Sequence, residues 1–101
     1  MKVFISQPMK GLSNEEIKSV RSDMISIAAA KFGDDIEVLD TFFENAPVEA
    51  KPLWFLGKSL EFLSAADVAI FAPGWNESRG CVIEHESCLR YGIKTIEVTE
   101  F

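Results

Sequence analysis

The stretch DVAIFAPGWNESRGCVIEHE, Asp67 to Glu86, decides the fold. Val68 to Phe71 is an unbroken apolar run led in by an acid, as in a strand buried on both faces of a parallel sheet. Pro73 and Gly74 end that run. Arg79 to Tyr91 then reads as a helix, with Gly92 as its stop. A buried strand that passes into a helix through a polar, glycine-containing turn is the repeating unit of an open α/β sheet. Free N–H groups at the start of such a helix favour anions, and a carboxylate further along can face what binds there.

The flanking segments extend the alternation. Val3 to Ile5 is a short buried strand that stops at Ser6-Gln7-Pro8. Ser13 with Glu16 forms a capping-box pattern, Ile17, Val20, Met24, Ile27 and Ala28 recur at helical spacing, and Gly33 ends a helix over residues 14–32. Ile36 to Leu39 is a second strand with Asp40-Thr41 at its carboxyl end. Residues 41–52, broken by Pro47 and Pro52, form an irregular loop able to cover a site. Leu53, Leu56, Leu60 and Leu63 trace one face of a middle helix. Trp54, Phe55 and Phe62 make its other sides apolar, which predicts burial by more than one neighbour. Lys94 to Val98 is the last strand. The expected structure is one domain over residues 1–101, a small three-layer Rossmann-like or flavodoxin-like α/β domain. Its parallel sheet has about four or five strands joined by right-handed crossovers.

Composition narrows the partners. The 101 residues, 48% apolar and 26% charged, are those of an ordinary globular chain. A net charge of -6 and a pI near 4.7 disfavour a nucleic-acid polymer or an anionic membrane surface as partner. The first residues hold no apolar run of signal-peptide length, and no later run approaches membrane-spanning length. Two cysteines give no disulfide framework, and a cytoplasmic location is expected.

In a parallel sheet the carboxyl ends of the strands share one edge, so Ser6 to Met9, Asp40-Thr41 and Ala72 to Gly80 should converge there. Ser78 is an N-cap whose hydroxyl serves either the first turn or a ligand. Gly80 admits a ligand close to the backbone or else allows tight helix packing. Arg79 pairs with a phosphate or is a solvated surface residue. Glu84 falls at the border of the apolar face, where a carboxylate is partly desolvated. Trp75 stacks on a base or closes the core. Cys81, His85 and Cys88 lie on one side of the same helix, and with no other His or Cys in the chain they read as a core-facing cluster rather than a metal site. No dinucleotide or nucleoside-triphosphate phosphate loop occurs, and no cofactor is implied.

Three pieces in order, KVFISQPMKG, AADVAIFAPGW and SRGCVIEHE, together resemble the nucleoside 2-deoxyribosyltransferase superfamily. Ser78, Gly80 and Glu84 are in register with that family's S-x-G-x-x-x-E motif. The resemblance implies a small-molecule nucleoside or nucleotide substrate, no cofactor, and a homo-oligomer. Glu84 would be the nucleophile that attacks the anomeric carbon and forms a glycosyl ester, later resolved by another base or by water. Ser6 and Met9 would line the pocket together with Asp40 and Trp75. Ser78 in place of the aspartate common in transferases of free nucleosides implies a 5′-monophosphate substrate, with Arg79 and Gly80 at the phosphate. The acid that protonates the leaving base would be Asp40 or Glu86.

The chain departs from the family pattern at three positions. Phe4 stands where tyrosine is frequent, Gln7 where glycine is, and Ser59 where an aspartate orients the site. An alternative from another class is a non-catalytic nucleotide-binding module that uses the same pocket.

Overall fold

Four segments carry enough consecutive β-branched or aromatic residues to pair, and each pairs in parallel with a segment far away in sequence. The computed structural model describes all 101 residues. In chain order the elements are β1 (Lys2–Ser6), α1 (Asn14–Phe32), β2 (Glu37–Val38), α2 (Pro52–Leu63), β3 (Val68–Phe71), α3 (Arg79–Tyr91) and β4 (Lys94–Glu97). The strands form one parallel sheet in the order β2-β1-β3-β4. This is an α/β fold with three helices, compatible with a small Rossmann-like or flavodoxin-like domain. The two central strands are the two most apolar ones, since both of their faces are covered.

The period-two alternation of a strand sorts the core into two halves. Val3, Ile5, Val68 and Ile70 point to one face and meet Met24 and Ala28 of α1. Phe4, Ala69 and Phe71 point to the other and meet Leu63 of α2 and Cys88 of α3. After β1 the chain turns one way to reach β2, then crosses back to β3 and continues to β4. That reversal lies between β1 and β3, which pair from Val3↔Val68 to Ser6↔Phe71. Loops that leave adjacent strands in opposite directions open a crevice between them, where ligands of open α/β sheets bind.

Local chemistry sets the helix ends. The Ser13 hydroxyl accepts the N–H of Glu16 at 3.2 Å, and Glu16 Oε1 accepts the N–H of Ser13 at 3.0 Å. Gly33 ends α1 in a left-handed conformation, φ 89°, that only glycine adopts without strain. Pro52 occupies the first turn of α2, where its missing N–H costs nothing.

Two expectations need correction. The second strand is only Glu37–Val38 rather than Ile36 to Leu39, because it is an edge with β1 as its single neighbour. Leu39 still donates its N–H to Val3 at 2.9 Å, but no ladder pair follows. The middle helix is not buried on several sides: within α2 only Leu63 is buried, while Leu53, Phe55 and Phe62 are exposed. Its cover within the chain is one sheet face, a contact with α3, and Phe43, which packs on Trp54 and Phe62. No helix is long and apolar enough to cross a membrane.

Candidate active site

The crevice at the β1/β3 reversal widens into an open cavity of about 1160 Å³. Its walls come from the end of β1 and the loop after it, the loop after β2, the first half of α2 and the start of α3. Ser6, Met9, Ser78, Arg79, Gly80 and Glu84 all line it.

Glu84 sits on the second turn of α3, facing the sheet, and is 8% exposed. Ser6, the last residue of β1, donates its hydroxyl to Glu84 Oε1 at 2.6 Å. Burial raises the Glu84 carboxyl from its ordinary value of 4.5 to about 7, against the opposing pull of the Ser6 and Ser59 hydroxyls. Ser59 comes from α2 and lines the same cavity. A carboxylate that titrates near neutrality is suited to work either as a base and nucleophile or as an acid. With Oε1 engaged by Ser6, Oε2 is the oxygen left for the cavity.

The start of α3 is open to a ligand. Ser78 has the extended conformation of an N-cap, yet its hydroxyl makes no capping bond. Gly80 is not there for tight packing, because a Cβ added to it would meet nothing within 4 Å. Arg79 is exposed at the same end and carries no ion-pair partner. The first turn contains no acidic residue to oppose an anion.

Asp40 and Trp75 are placed elsewhere, which corrects the expectation that they line the pocket. Asp40 Oδ1 accepts the N–H of Phe42 at 3.3 Å, a local turn that holds the carboxylate at the surface on the side of Arg21. Trp75 stacks on His85, ring centroids 4.1 Å apart and planes 19° from parallel, and packs against Phe71. His85 in turn bonds Glu97 Oε1 through Nε2 at 2.7 Å. This side-chain stack braces the turn at Trp75–Glu77 against β4, outside the cavity. Glu86 is exposed beside Arg90, 3.7 Å away, so neither proposed acid reaches the site.

Cys81 and Cys88 are buried, and burial pushes both thiols up, Cys88 to about 11. Neither is a thiolate at neutral pH. No three of the chain's His, Cys, Asp and Glu side chains gather as a metal ion would require.

Gln7, Lys10 and Lys51 also line the cavity, and the sequence reading assigned none of them a role there. Gln7 is buried, and its Nε2 donates to the carbonyl of Ile17 at 3.0 Å. That bond fixes the amide orientation, because a carbonyl needs a donor. Oε1 is thereby left buried with no partner. The polar pair Ser6-Gln7 before Pro8, at the end of a buried strand, was the available signal.

Comparisons of this chain with protein-family models, with curated proteins and with solved structures find no match.

Proposed function

We propose that the chain is an N-glycosidase or deoxyribosyltransferase-like enzyme that cleaves the N-glycosidic bond of a (deoxy)nucleoside 5′-monophosphate, with Glu84 as nucleophile. The observation that supports this reading most is the buried Glu84 carboxylate, held by Ser6 at 2.6 Å in a cavity that an uncapped helix start also faces. The phosphate binds at Ser78, Arg79 and Gly80, where backbone N–H groups and a guanidinium supply the donors.

In the reaction, an electron pair on Glu84 Oε2 forms a bond to the anomeric carbon as the carbon–nitrogen bond breaks. The base leaves with that bond's electron pair. Glu84 is the only acidic residue in the cavity wall, so the departing base takes its proton from water. Water, or a second base, then attacks the same carbon, gives up a proton to solvent, and releases Glu84 as a carboxylate with the electron pair of the ester bond. Two displacements at one carbon retain its configuration. The Ser6 hydroxyl orients Oε1 through both steps and stabilises the carboxylate each time it is regenerated.

Incubation with 2′-deoxynucleoside 5′-monophosphates and chromatography of the free base test the reading. Base release is expected from the native chain and not from Glu84→Ala. Release that persists in the variant removes Glu84 from the mechanism. One observation favours a second reading, a nucleotide-binding module without turnover. Burial raises the Glu84 carboxyl to about 7 despite the Ser6 and Ser59 hydroxyls, so a neutral, non-nucleophilic form competes near neutral pH. Thermal stabilisation by nucleotides with no free base supports that module instead.

The exposed Leu53, Phe55 and Phe62 on α2 support a homo-oligomer, in which a second copy covers this helix. The buried, unpaired thiols of Cys81 and Cys88 are in keeping with a reducing, cytoplasmic location.

A further inference from the structure

We infer that the ring this site expels best is a cationic heterocycle, an N-glycosyl pyridinium or N7-alkylpurinium on a sugar 5′-monophosphate, which departs as a neutral molecule and needs no acid. This deepens the glycosidase reading above by naming the class of its leaving group, and it rests on Glu84 as nucleophile.

A neutral base that leaves with its bonding pair becomes an anion unless it is protonated, and a positioned acid contributes about 10²–10⁴-fold to such a step. The cavity holds no such acid. Glu84 is the single carboxyl group in its wall, and one group cannot attack the carbon and protonate the base in the same step. Asp40 is held at the surface by the Phe42 N–H, and Glu86 lies beside Arg90. His85, the one histidine, is turned away: its Nε2 bonds Glu97 at 2.7 Å and its ring stacks on Trp75. Tyr91, the one tyrosine, is exposed at the far end of α3. Burial raises the Cys81 thiol above its ordinary value, which weakens it as an acid. Lys10, Lys51 and Arg79 complete the wall, and ammonium and guanidinium groups hold their protons too tightly for the role near neutral pH.

A cationic ring removes the need for that proton. As Glu84 Oε2 forms its bond to the anomeric carbon, the electron pair of the carbon–nitrogen bond returns to the ring nitrogen and cancels the ring's formal charge. No proton moves in that step.

The walls also suit such a ring before it leaves. Lys10, Lys51 and Arg79 are exposed, so Glu84 is the one charged group in the buried part of the cavity, and its sign opposes that of the ring. A nearby cation favours the ionised carboxylate that burial disfavours, so the leaving group itself readies the nucleophile. Phe42, Phe43 and Phe55 line the same cavity, and aromatic faces attract cations.

Two matched pairs of nucleotides test this with the full chain: nicotinamide mononucleotide against its neutral 2-pyridone counterpart, and 7-methyladenosine 5′-monophosphate against adenosine 5′-monophosphate. Chromatography reads the free ring, with Glu84→Ala as the blank. Within at least one pair, kcat/KM is expected to be at least about tenfold higher for the cation, and the pair that shows it tells a pyridinium from a purinium site. Because the cations are also more labile in free solution, each kcat is divided by the rate of the same nucleotide without protein. That ratio is expected to be equal or larger for the cation. A ratio about tenfold or more larger for the neutral partner is the mark of an acid and overturns the proposal, as does kcat/KM no higher for either cation. Binding supplies a readout without turnover. At pH 8, where Glu84 is mostly ionised, 1-methylnicotinamide is expected to bind about fivefold or more tighter than nicotinamide, and Glu84→Gln to abolish the difference. Equal affinity of the two in the native chain overturns the proposal. Glu84-dependent release that favours the neutral partners overturns this proposal alone. Release from none of the four nucleotides, or release that persists in Glu84→Ala, overturns the glycosidase reading and this inference with it.

Discussion

Ser6 Oγ and Glu84 Oε1 lie 2.6 Å apart although 78 residues separate them in sequence. The bond joins the end of a central strand to the second turn of α3, so the sheet itself fixes the orientation of the carboxylate. A hydrogen bond to a charged group contributes about 1.5–3 kcal/mol. It favours the ionised form of Glu84 and opposes the effect of burial.

Ser6→Ala is therefore expected to raise the Glu84 carboxyl above its value of about 7. If Glu84 is the nucleophile, as proposed, the acid limb of kcat/KM follows its ionisation, has its midpoint near neutrality, and moves up by about one pH unit or more. At pH 7 the variant loses about fivefold or more in rate, since the ionised fraction falls from about one half to about one tenth. A pH–rate profile checks this, and a limb that stays in place removes Ser6 as the positioning residue.

Stability carries the same signature. The folded-state value of Glu84 is raised from 4.5 to about 7, so the native protein holds a proton that the unfolded chain releases between these limits. The associated stability is fully present below pH 4.5, falls as pH rises toward 7, and is lost above it, a difference of about 3 kcal/mol. Glu84→Gln abolishes this dependence and should be the more stable protein at pH 8. Urea denaturation at pH 5 and pH 8 measures both effects.

Gly80 separates binding from folding. Nothing lies within 4 Å of a Cβ placed there, and the position is an ordinary helical one. Gly80→Leu is expected to fold with unchanged or slightly raised stability, since glycine in a helix costs roughly 0.5–1 kcal/mol relative to alanine. Its side chain then occupies the proposed phosphate position, and nucleotide affinity should drop by about tenfold or more. Thermal melts read together with ligand titration test the pair of outcomes.

The stack of Trp75 on His85 lies behind α3, outside the cavity. His85→Ala loses the stacked ring and the 2.7 Å bond to Glu97, which should cost about 1–3 kcal/mol. Trp75→Phe should leave KM unchanged, because the indole does not line the site. A raised KM in that variant at unchanged stability would restore Trp75 as a ligand contact.

The parts of the fold that were legible in the sequence are those specified by neighbouring residues. Ser13 with Glu16 and Gly33 mark the limits of α1 through bonds made within a few positions of each other. Gly92, φ 73°, marks the end of α3 in the same way. Val68 to Phe71 is central because its apolar run leaves no face suited to solvent. Misplaced features depend on partners distant in sequence. Trp75 pairs with His85 and, through it, with Glu97 on the last strand, and no local pattern encodes that chain of contacts. Asp40 turns back on Phe42, a competition between side chain and backbone that strand patterning does not reveal. Lys51 reaches the cavity wall only because the N-terminus of α2 opens on the same cavity as the start of α3.

The order β2-β1-β3-β4 has a kinetic consequence. β1 cannot gain its second neighbour until β3 arrives, and the bond from the Lys2 N–H to Asp67 Oδ2 that anchors the pairing spans 65 residues. Closing so long a loop comes before the contacts that reward it, which slows parallel sheets relative to helical bundles. Ser6 and Glu84 lie on opposite sides of that closure. During folding, the Ser6–Glu84 bond thus cannot precede that closure, and a fragment that keeps α1 or α3 without it lacks the bond.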